Sequence, residues 1–529
     1  MPFILRNLTL PFDHPAEALS SALCVRFNLR ADALLALQVL KQGLDARKKP
    51  RVKAVYSVQF AVADEAAFWR AHGNDPDLDR ATEPVKQVFP RLRQAGRIVI
   101  VGMGPAGVFA ALRLTEYGLR PIVVERGRPV AERLRDVQTF WSRGVLDPES
   151  NVQFGEGGAG TFSDGKLTTR VRDPNLGYVL EQLVRFGAPP EIMIQAKPHI
   201  GTDRLREVVT GIRAHLLAQG TEIRFQWRLT GLLAESGRVR GVTGSDGAEE
   251  SCDYLVLAPG HSARDTYRLL LENGVALERK PFAVGVRVEH PQELINRIQY
   301  AIASHPQLPP ADYRLAYNNG ASGRSAYSFC MCPGGVVVAG ASAPGQVVTN
   351  GMSNLRRNAP YANSALVVNV REEDFPDGSP LAGITFQEAL EHRAFQAGGG
   401  GYRAPAQNLL AFLGRRGGSG CRSSYRPGVV EAELAAVLPG FVTDTLREGL
   451  IAFDRQMRGF VTAEATLVGV ESRTSAPVRI LRGSDLQSLS HRRLYPAGEG
   501  AGYAGGIMSA ALDGIRVADA IAREIAGQA

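Results

Sequence analysis

No stretch of the 529 residues reaches the roughly 18 consecutive apolar side chains that a bilayer-spanning helix needs, so no transmembrane segment is expected. Residues 1–14 (MPFILRNLTLPFDH) lack the charged head, long apolar run and small-residue cleavage site of a secretory signal. Cysteine is sparse, and five in a chain this long do not make a disulfide framework. These absences give the expectation of a cytoplasmic protein with no membrane partner. Two catalytic signatures are missing as well. The chain has no GxSxG nucleophile elbow and no P-loop, which argues against hydrolase and NTPase readings.

What is present looks like an ordinary globular enzyme, 44% hydrophobic and 22% charged. The length exceeds what one core serves, so two or three domains are expected. The net charge of +8 is unevenly placed. Residues 1–97 hold 15 Lys and Arg against 10 Asp and Glu, and Arg47, Lys48, Lys49, Arg51 and Lys53 form a compact basic run. Such a run can meet RNA or another polyanion, or it can be a solvated turn. No ring of aromatics accompanies it, which favours the turn.

The pattern along the chain divides it into three parts. Residues 1–95 read as a small basic α/β domain and its linker. In it Leu23, Val25 and Phe27 alternate as in a strand, Leu34, Leu37, Leu40 and Leu44 recur at helical spacing, and residues 52–62 are strand-like. The polar, proline-containing stretch 72–90 reads as the linker. Residues 96–280 together with 470–529 are expected to build a discontinuous Rossmann-like domain. Residues 281–469, which mix strand-like segments with Gly-rich loops, are expected to form a mixed α+β substrate or cap domain.

The strongest local signal lies at residues 98–125. An apolar strand (IVIV) runs into Gly102-Met103-Gly104-Pro105-Ala106-Gly107 and then into an Ala/Leu-rich helix, followed by a second strand that ends at Glu125. GxGxxG alone is weak, because chance placement of 57 glycines gives about 0.7 matches. The chain has three, starting at Gly102, Gly155 and Gly500, and only the first sits between a strand and a helix. There each residue has a physical task. Gly102 permits the tight turn, Gly104 lets backbone approach a pyrophosphate, and Gly107 lets helix and strand pack closely. The helix N-terminus presents free N–H groups and a positive dipole end to phosphate. Glu125 is placed to accept hydrogen bonds from an adenosine ribose, and Arg126 to flank the adenine or pyrophosphate.

Two further signals point to FAD rather than NAD. Residues 494–507 (LYPAGEGAGYAGGI) resemble the second FAD motif of glutathione-reductase-like flavoproteins, in which a Gly-Asp pair contacts the ribityl chain. Here the pair is Gly498-Glu499. The following helix would aim its N-terminus, near Gly505, Gly506 and Ile507, at the flavin ring, where a positive dipole stabilises the anionic reduced form. Ala258-Pro259-Gly260 after a buried strand resembles the Ala-Thr-Gly turn of the same superfamily. No second fingerprint in a strand–helix context offers a separate NAD(P) domain.

Longer segments resemble a family of bacterial FAD-dependent dehydrogenases within the glutathione-reductase-like FAD/NAD(P)-binding superfamily. They are residues 151–167 (NVQFGEGGAGTFSDGKL), 280–291 (KPFAVGVRVEHP), 328–335 (SFCMCPGG), 348–368 (VTNGMSNLRRNAPYANSALVV), 471–480 (ESRTSAPVRI) and 495–514, with LDARKK in the N-terminal unit. The resemblance implies an FAD fold and a dehydrogenase, without a substrate. It also implies that Gly157, Gly158, Gly160 and Thr161 lie along the flavin.

Five residues are candidates for chemistry. Lys166 can stabilise negative charge on reduced flavin or substrate, or be a surface lysine after a turn. Cys330 and Cys332 can form a redox pair beside flavin or be small fillers on one strand face; a metal site would need further ligands, and no second Cys/His cluster is evident. Arg473 can bind an anionic substrate or hold the last strand through an ion pair. Tyr503 can close over the flavin or donate a proton, or it can belong to the core. The expected activity is two-electron hydride transfer between FAD and a small substrate, with NAD(P)H as a candidate donor. The alternatives are a flavin-dependent RNA-modifying enzyme, a monooxygenase and a non-catalytic flavin-binding sensor.

Overall fold

The computed structural model describes residues 2–82, 88–94, 96–418 and 420–527. Residues 83–87 of the expected linker therefore lie outside the described residues.

The N-terminal unit runs β1 (Phe3–Pro11), α1 (Ala18–Phe27), β2 (Leu34–Asp45), β3 (Lys53–Val62), α2 (Glu65–His72) and β4 (Leu78–Arg80). Its antiparallel sheet has the order β2-β3-β1-β4. This is the β-α-β-β-α-β arrangement of ferredoxin-like units. Phe3, Phe27, Phe60 and Phe68 meet under the helices as its core. Three readings of this unit are corrected. Within the stretch 72–90 expected as linker, residues 78–80 are strand β4, paired with β1 and burying Leu78. The strand expected at residues 23–27 is helix α1, because Leu19, Leu23 and Phe27 form a buried stripe at a spacing of four while Val25 is 82% exposed. The helix expected over residues 34–44 is strand β2. Register shifts between Leu34 and Ala36 and between Val39 and Lys41 break the two-residue alternation, leaving the leucines at spacings that mimic a helix. In the basic run, Arg47 pairs with Asp45 at 2.7 Å and the Lys49 ammonium donates to the Ile298 carbonyl at 2.5 Å.

The second layer is a parallel sheet, buried on both faces. It is built from β5 (Ile98–Val101), β6 (Ile122–Val124), β7 (Glu222–Arg224), β8 (Tyr254–Leu257) and a late strand, Leu494–Pro496, in the order late strand-β8-β5-β6-β7. Every residue of β5, β6 and β8 is buried, as continuous apolar runs between helices should be. Helix α3 (Pro105–Glu116) follows β5 and packs along α4 (Ile507–Ile525), the final helix. The contact is close because the facing residues are small: a Cβ on Gly514 would collide with the Ala106 carbonyl, and one on Gly498 would meet the Ala106 Cβ at 2.6 Å. The chain's end is thereby brought against the turn after its first parallel strand.

The third layer is a large, mostly antiparallel sheet whose central strands are β9 (Phe282–Pro291), β10 (Ser325–Ala339), β11 (Tyr361–Val370) and β12 (Thr466–Glu471), in the order β10-β11-β9-β12. The strand-like segments expected in this region are these strands. Behind them packs the largest apolar cluster of the protein, including Val284, Leu366, Leu390 and Phe453.

Candidate functional site

A cleft of about 720 Å³ lies where the parallel sheet, the glycine loop after residue 154 and the large sheet meet. Its floor is the β5–α3 turn. Gly102 has φ of +101°, and a Cβ there would collide with the Ala258 carbonyl oxygen. A Cβ on Gly107 would collide with the Gly102 carbonyl, so this glycine sets helix–strand distance and stays outside the lining. At Gly104 the nearest atom to an added Cβ is the Gly158 Cα, 3.9 Å away. Gly104, Pro105 and Ala106 line the cleft at the N-terminus of α3, with Pro105 in the first turn, where its missing N–H is not needed.

Glu125 lines the cleft just after β6. Its carboxylate accepts hydrogen bonds from the backbone N–H groups of Met103 (2.8 Å), Gly127 (2.9 Å) and Gly155 (2.9 Å), so it ties the fingerprint turn to the second glycine loop. Arg126 also lines the cleft. Its guanidinium lies 3.9 Å from the Phe154 ring centroid and is held by Glu149 and Asp265, each at 2.9 Å.

The loop from Gly155 to Lys166 forms one wall. Gly158 and Gly160 face the cleft. Gly157 and Thr161 sit behind them: a Cβ on Gly157 would collide with Thr161 Oγ1, and the Thr161 hydroxyl donates to the Glu156 carbonyl at 3.2 Å. Arg133, which the sequence reading did not single out, holds this loop from beneath. Fully buried, it donates to the carbonyls of Asn151 (2.8 Å), Val152 (2.9 Å) and Glu156 (2.7 Å).

The opposite wall carries Ala258, Gly260 and Glu499. Gly498 lies one residue behind the surface. Its N–H donates to Asp513 at 2.7 Å, and Asp513 is held in turn by Arg482. Gly505, Gly506 and Ile507 bring the N-terminus of α4 to the cleft, and added Cβ atoms on Gly505, Gly506 or Gly260 would meet nothing within 4 Å. Burial pushes the Glu499 carboxyl up to about 7, partly offset by the Gly506 N–H and by Lys280. Burial and Arg479 push the Lys280 ammonium, also in the lining, downward.

The large sheet closes the remaining side with Cys330, Asn350 and Arg473. Lys166, in the lining, is held by Asp164 at 3.1 Å and by the Met331 carbonyl. Arg473 is engaged by Glu391 (2.9 and 3.0 Å), Ser342 (2.6 Å) and Ser262 (3.1 Å), which is the ion-pair arrangement. Arg264 grips the same carboxylate at 2.8 and 2.9 Å. Cys332 is buried behind Cys330. Tyr503 lies outside the lining, its ring 3.9 Å from the Arg482 guanidinium carbon and its hydroxyl accepting from the Arg482 N–H at 3.1 Å.

Residues 281–474 match the family model described as FAD-dependent protein, C-terminal domain-like, and residues 3–61 match a domain of unknown function, DUF8436. An uncharacterised protein of Clostridium beijerinckii is 45% identical over 528 residues, covering 98% of both chains. The chain belongs to this family of FAD-dependent proteins. FAD is its cofactor, and the cleft fits it: an N-terminal helix turn open at Gly104, a carboxylate beside it and a second open helix N-terminus at Gly505–Ile507. Among solved structures, the flavin-dependent brominase Bmp2 is 13% identical at a TM-score of 0.35, over 82% of this chain and 80% of that one. A geranylgeranyl bacteriochlorophyll reductase-like protein of Thermoplasma acidophilum is 11% identical with the same TM-score and coverage. CtdE, in complex with FAD, is 12% identical at 0.32, over 82% and 86%.

The raised Glu499 carboxyl has a consequence for the flavin-free protein. Its folded value, about 7, lies above the reference 4.5, so the stability it supplies is fully present below pH 4.5 and is lost as pH rises through 7. Glu499→Gln stays neutral throughout. Its melting temperature is expected to match the wild type near pH 5 and to exceed it by a few degrees near pH 8. A Gln variant that melts lower than the wild type near pH 8 would contradict this assignment.

Proposed function

We propose that this family member is an oxidoreductase that moves two electrons, as a hydride, between FAD and a small substrate bound at the end of the cleft formed by Lys166, Lys280 and Cys330. The observation that carries the reading is the change in wall chemistry along one continuous cleft. Glu125, Arg126 and the α3 N-terminus line it with groups suited to adenosine and pyrophosphate. The α4 N-terminus, whose Gly506 N–H donates to Glu499, lines it together with Lys166, Lys280 and Cys330, and Glu499 feels the charges of Lys280 and Cys330.

Bound FAD supplies the two-electron carrier. The chain supplies the rest. The α4 N-terminus and the Lys166 ammonium stabilise negative charge that accumulates at that end. Glu499, its carboxyl raised to about 7 by burial, holds or releases a proton in the cleft. The cap sheet excludes water from the reacting face. Residues 281–469 are proposed as the substrate-covering domain on the same grounds, and residues 96–280 with 470–529 as the FAD domain.

The test is anaerobic mixing of the yellow protein with NADH, NADPH and a panel of small organic donors. Rapid bleaching of the flavin by at least one of them is expected. Flavin that dithionite bleaches fully, but that no organic donor touches, would overturn the reading in favour of a non-catalytic flavin-binding protein. Oxygen uptake coupled to substrate would replace the dehydrogenase reading with a monooxygenase.

A further inference from the structure

A cysteine that merely fills a core needs neither an unusual backbone nor access to a ligand cleft. Cys330 has both. It lines the cleft and holds φ at +44°, a left-handed conformation rare for a residue with a side chain. The cause is a bulge: between the Phe329–Ala365 and Cys332–Asn363 pairs, β10 carries one residue more than β11. The bulge folds Cys332 back on Cys330, so that its thiol donates to the Cys330 carbonyl at 3.3 Å. The two cysteines differ in access, Cys332 being fully buried and Cys330 open to the cleft. Two cations close on the same turn: Lys166 donates to the Met331 carbonyl, and Arg287 donates to the Cys330 carbonyl at 3.3 Å.

We propose that Cys330 and Cys332 are a redox-active dithiol that exchanges two electrons with the flavin in this cleft. This rests on the oxidoreductase reading above. In the oxidising direction the Cys330 thiolate and the Cys332 thiol form an S–S bond. They give up two electrons and the Cys332 proton, and oxidised flavin takes up both electrons and that proton. The reverse step reduces the disulfide and reoxidises the flavin. Electrons enter and leave the pair through the flavin and its small substrate, so the pair is a two-electron store.

The electrostatics agree with these roles. The neighbouring Cys332 thiol, Lys166 and Arg287 draw the Cys330 thiol downward, against the opposing effects of burial and Asp164. The same neighbourhood pushes Cys332 upward, and the carboxyls of Glu471 and Glu499 also feel the Cys330 charge. An accessible thiolate beside a buried thiol is the arrangement that thiol–disulfide chemistry uses.

The experiment is a reductive titration of the holoprotein, first oxidised with diamide and desalted, then titrated anaerobically with dithionite. The wild type is expected to take up four electrons per flavin, and Cys330→Ser, Cys332→Ser and Cys332→Ala two each. Alkylation and mass spectrometry should find Cys330 and Cys332 blocked after diamide and free after reduction. Wild-type protein with full flavin that takes up only two electrons, and whose two thiols still alkylate after diamide, overturns the proposal. Bleaching by an organic donor alongside two-electron uptake sinks the dithiol alone. Four-electron uptake with no response to any donor sinks the hydride reading and leaves the dithiol standing.

Discussion

Gly104→Val is expected to fold and to purify colourless. The substitution removes nothing from the protein's own packing, because an added Cβ meets only the Gly158 Cα at 3.9 Å. It does fill the space at the N-terminus of α3 where the backbone must approach a pyrophosphate. Blocking that approach should raise the dissociation constant for FAD at least about 100-fold, roughly 2.7 kcal/mol. The neighbouring Gly107→Val separates the two tasks of the motif: its Cβ would collide with the Gly102 carbonyl inside the fold, so it should fail to fold rather than fail to bind. Flavin-to-protein absorbance ratios and thermal melts of the two apoproteins distinguish these outcomes. A Gly104→Val protein that keeps its full yellow colour would mean that the pyrophosphate lies elsewhere.

Glu391→Ala should be strongly destabilising while leaving the backbone of the site unobstructed. Glu391 is fully buried between Arg264 and Arg473, accepts two hydrogen bonds from each and one more from Ser472 at 2.7 Å. Removing it leaves two guanidinium groups in the interior with no carboxylate between them, a loss of about 3–5 kcal/mol. The two arginines hold its carboxyl well below the usual carboxylate range. Its contribution is therefore present above the unfolded value and is lost as pH falls through the folded one, so it is complete at neutral pH. Denaturant unfolding at pH 7 measures it. The control is Glu207→Ala, because the Glu207 pairing with Arg204 at 2.6 Å is solvent-exposed and its loss should cost far less. Equal stabilities for the two variants would contradict the account of this cluster.

The fingerprint was legible because its requirements are local: a strand, a turn with positive φ, and a helix whose first turn is open. The tail helix was legible for the same reason, since Met508, Leu512 and Ile515 keep one face buried at helical spacing. The N-terminal unit was misread where local pattern and tertiary demand part. The bulges in β2 are invisible to a count of alternating residues, and the buried stripe of α1 competes with a shorter alternation. Arg133 escaped because its partners are backbone carbonyls 18 to 23 residues away, which leave no mark in side-chain identity. Arg473 carried two readings because an arginine before a proline-bounded strand has the same sequence signature whether a substrate or Glu391 satisfies it; the decisive carboxylate comes from a helix 82 residues earlier. For Tyr503, neighbourhood in sequence to the flavin-facing glycines did not bring its ring into the cleft, because Arg482 engages it on the far side of that turn.

The central claim is that one FAD spans the cleft from the turn at Gly102–Gly107 to the start of the last helix. Electron density from crystals of the yellow protein tests it most directly. The account predicts the ribose beside Glu125, the pyrophosphate over Gly104 and Pro105, and the isoalloxazine ring against Gly505–Ile507 with Cys330 and Lys166 nearby. Density for the flavin outside this cleft, or running through it in the reverse direction, would contradict it.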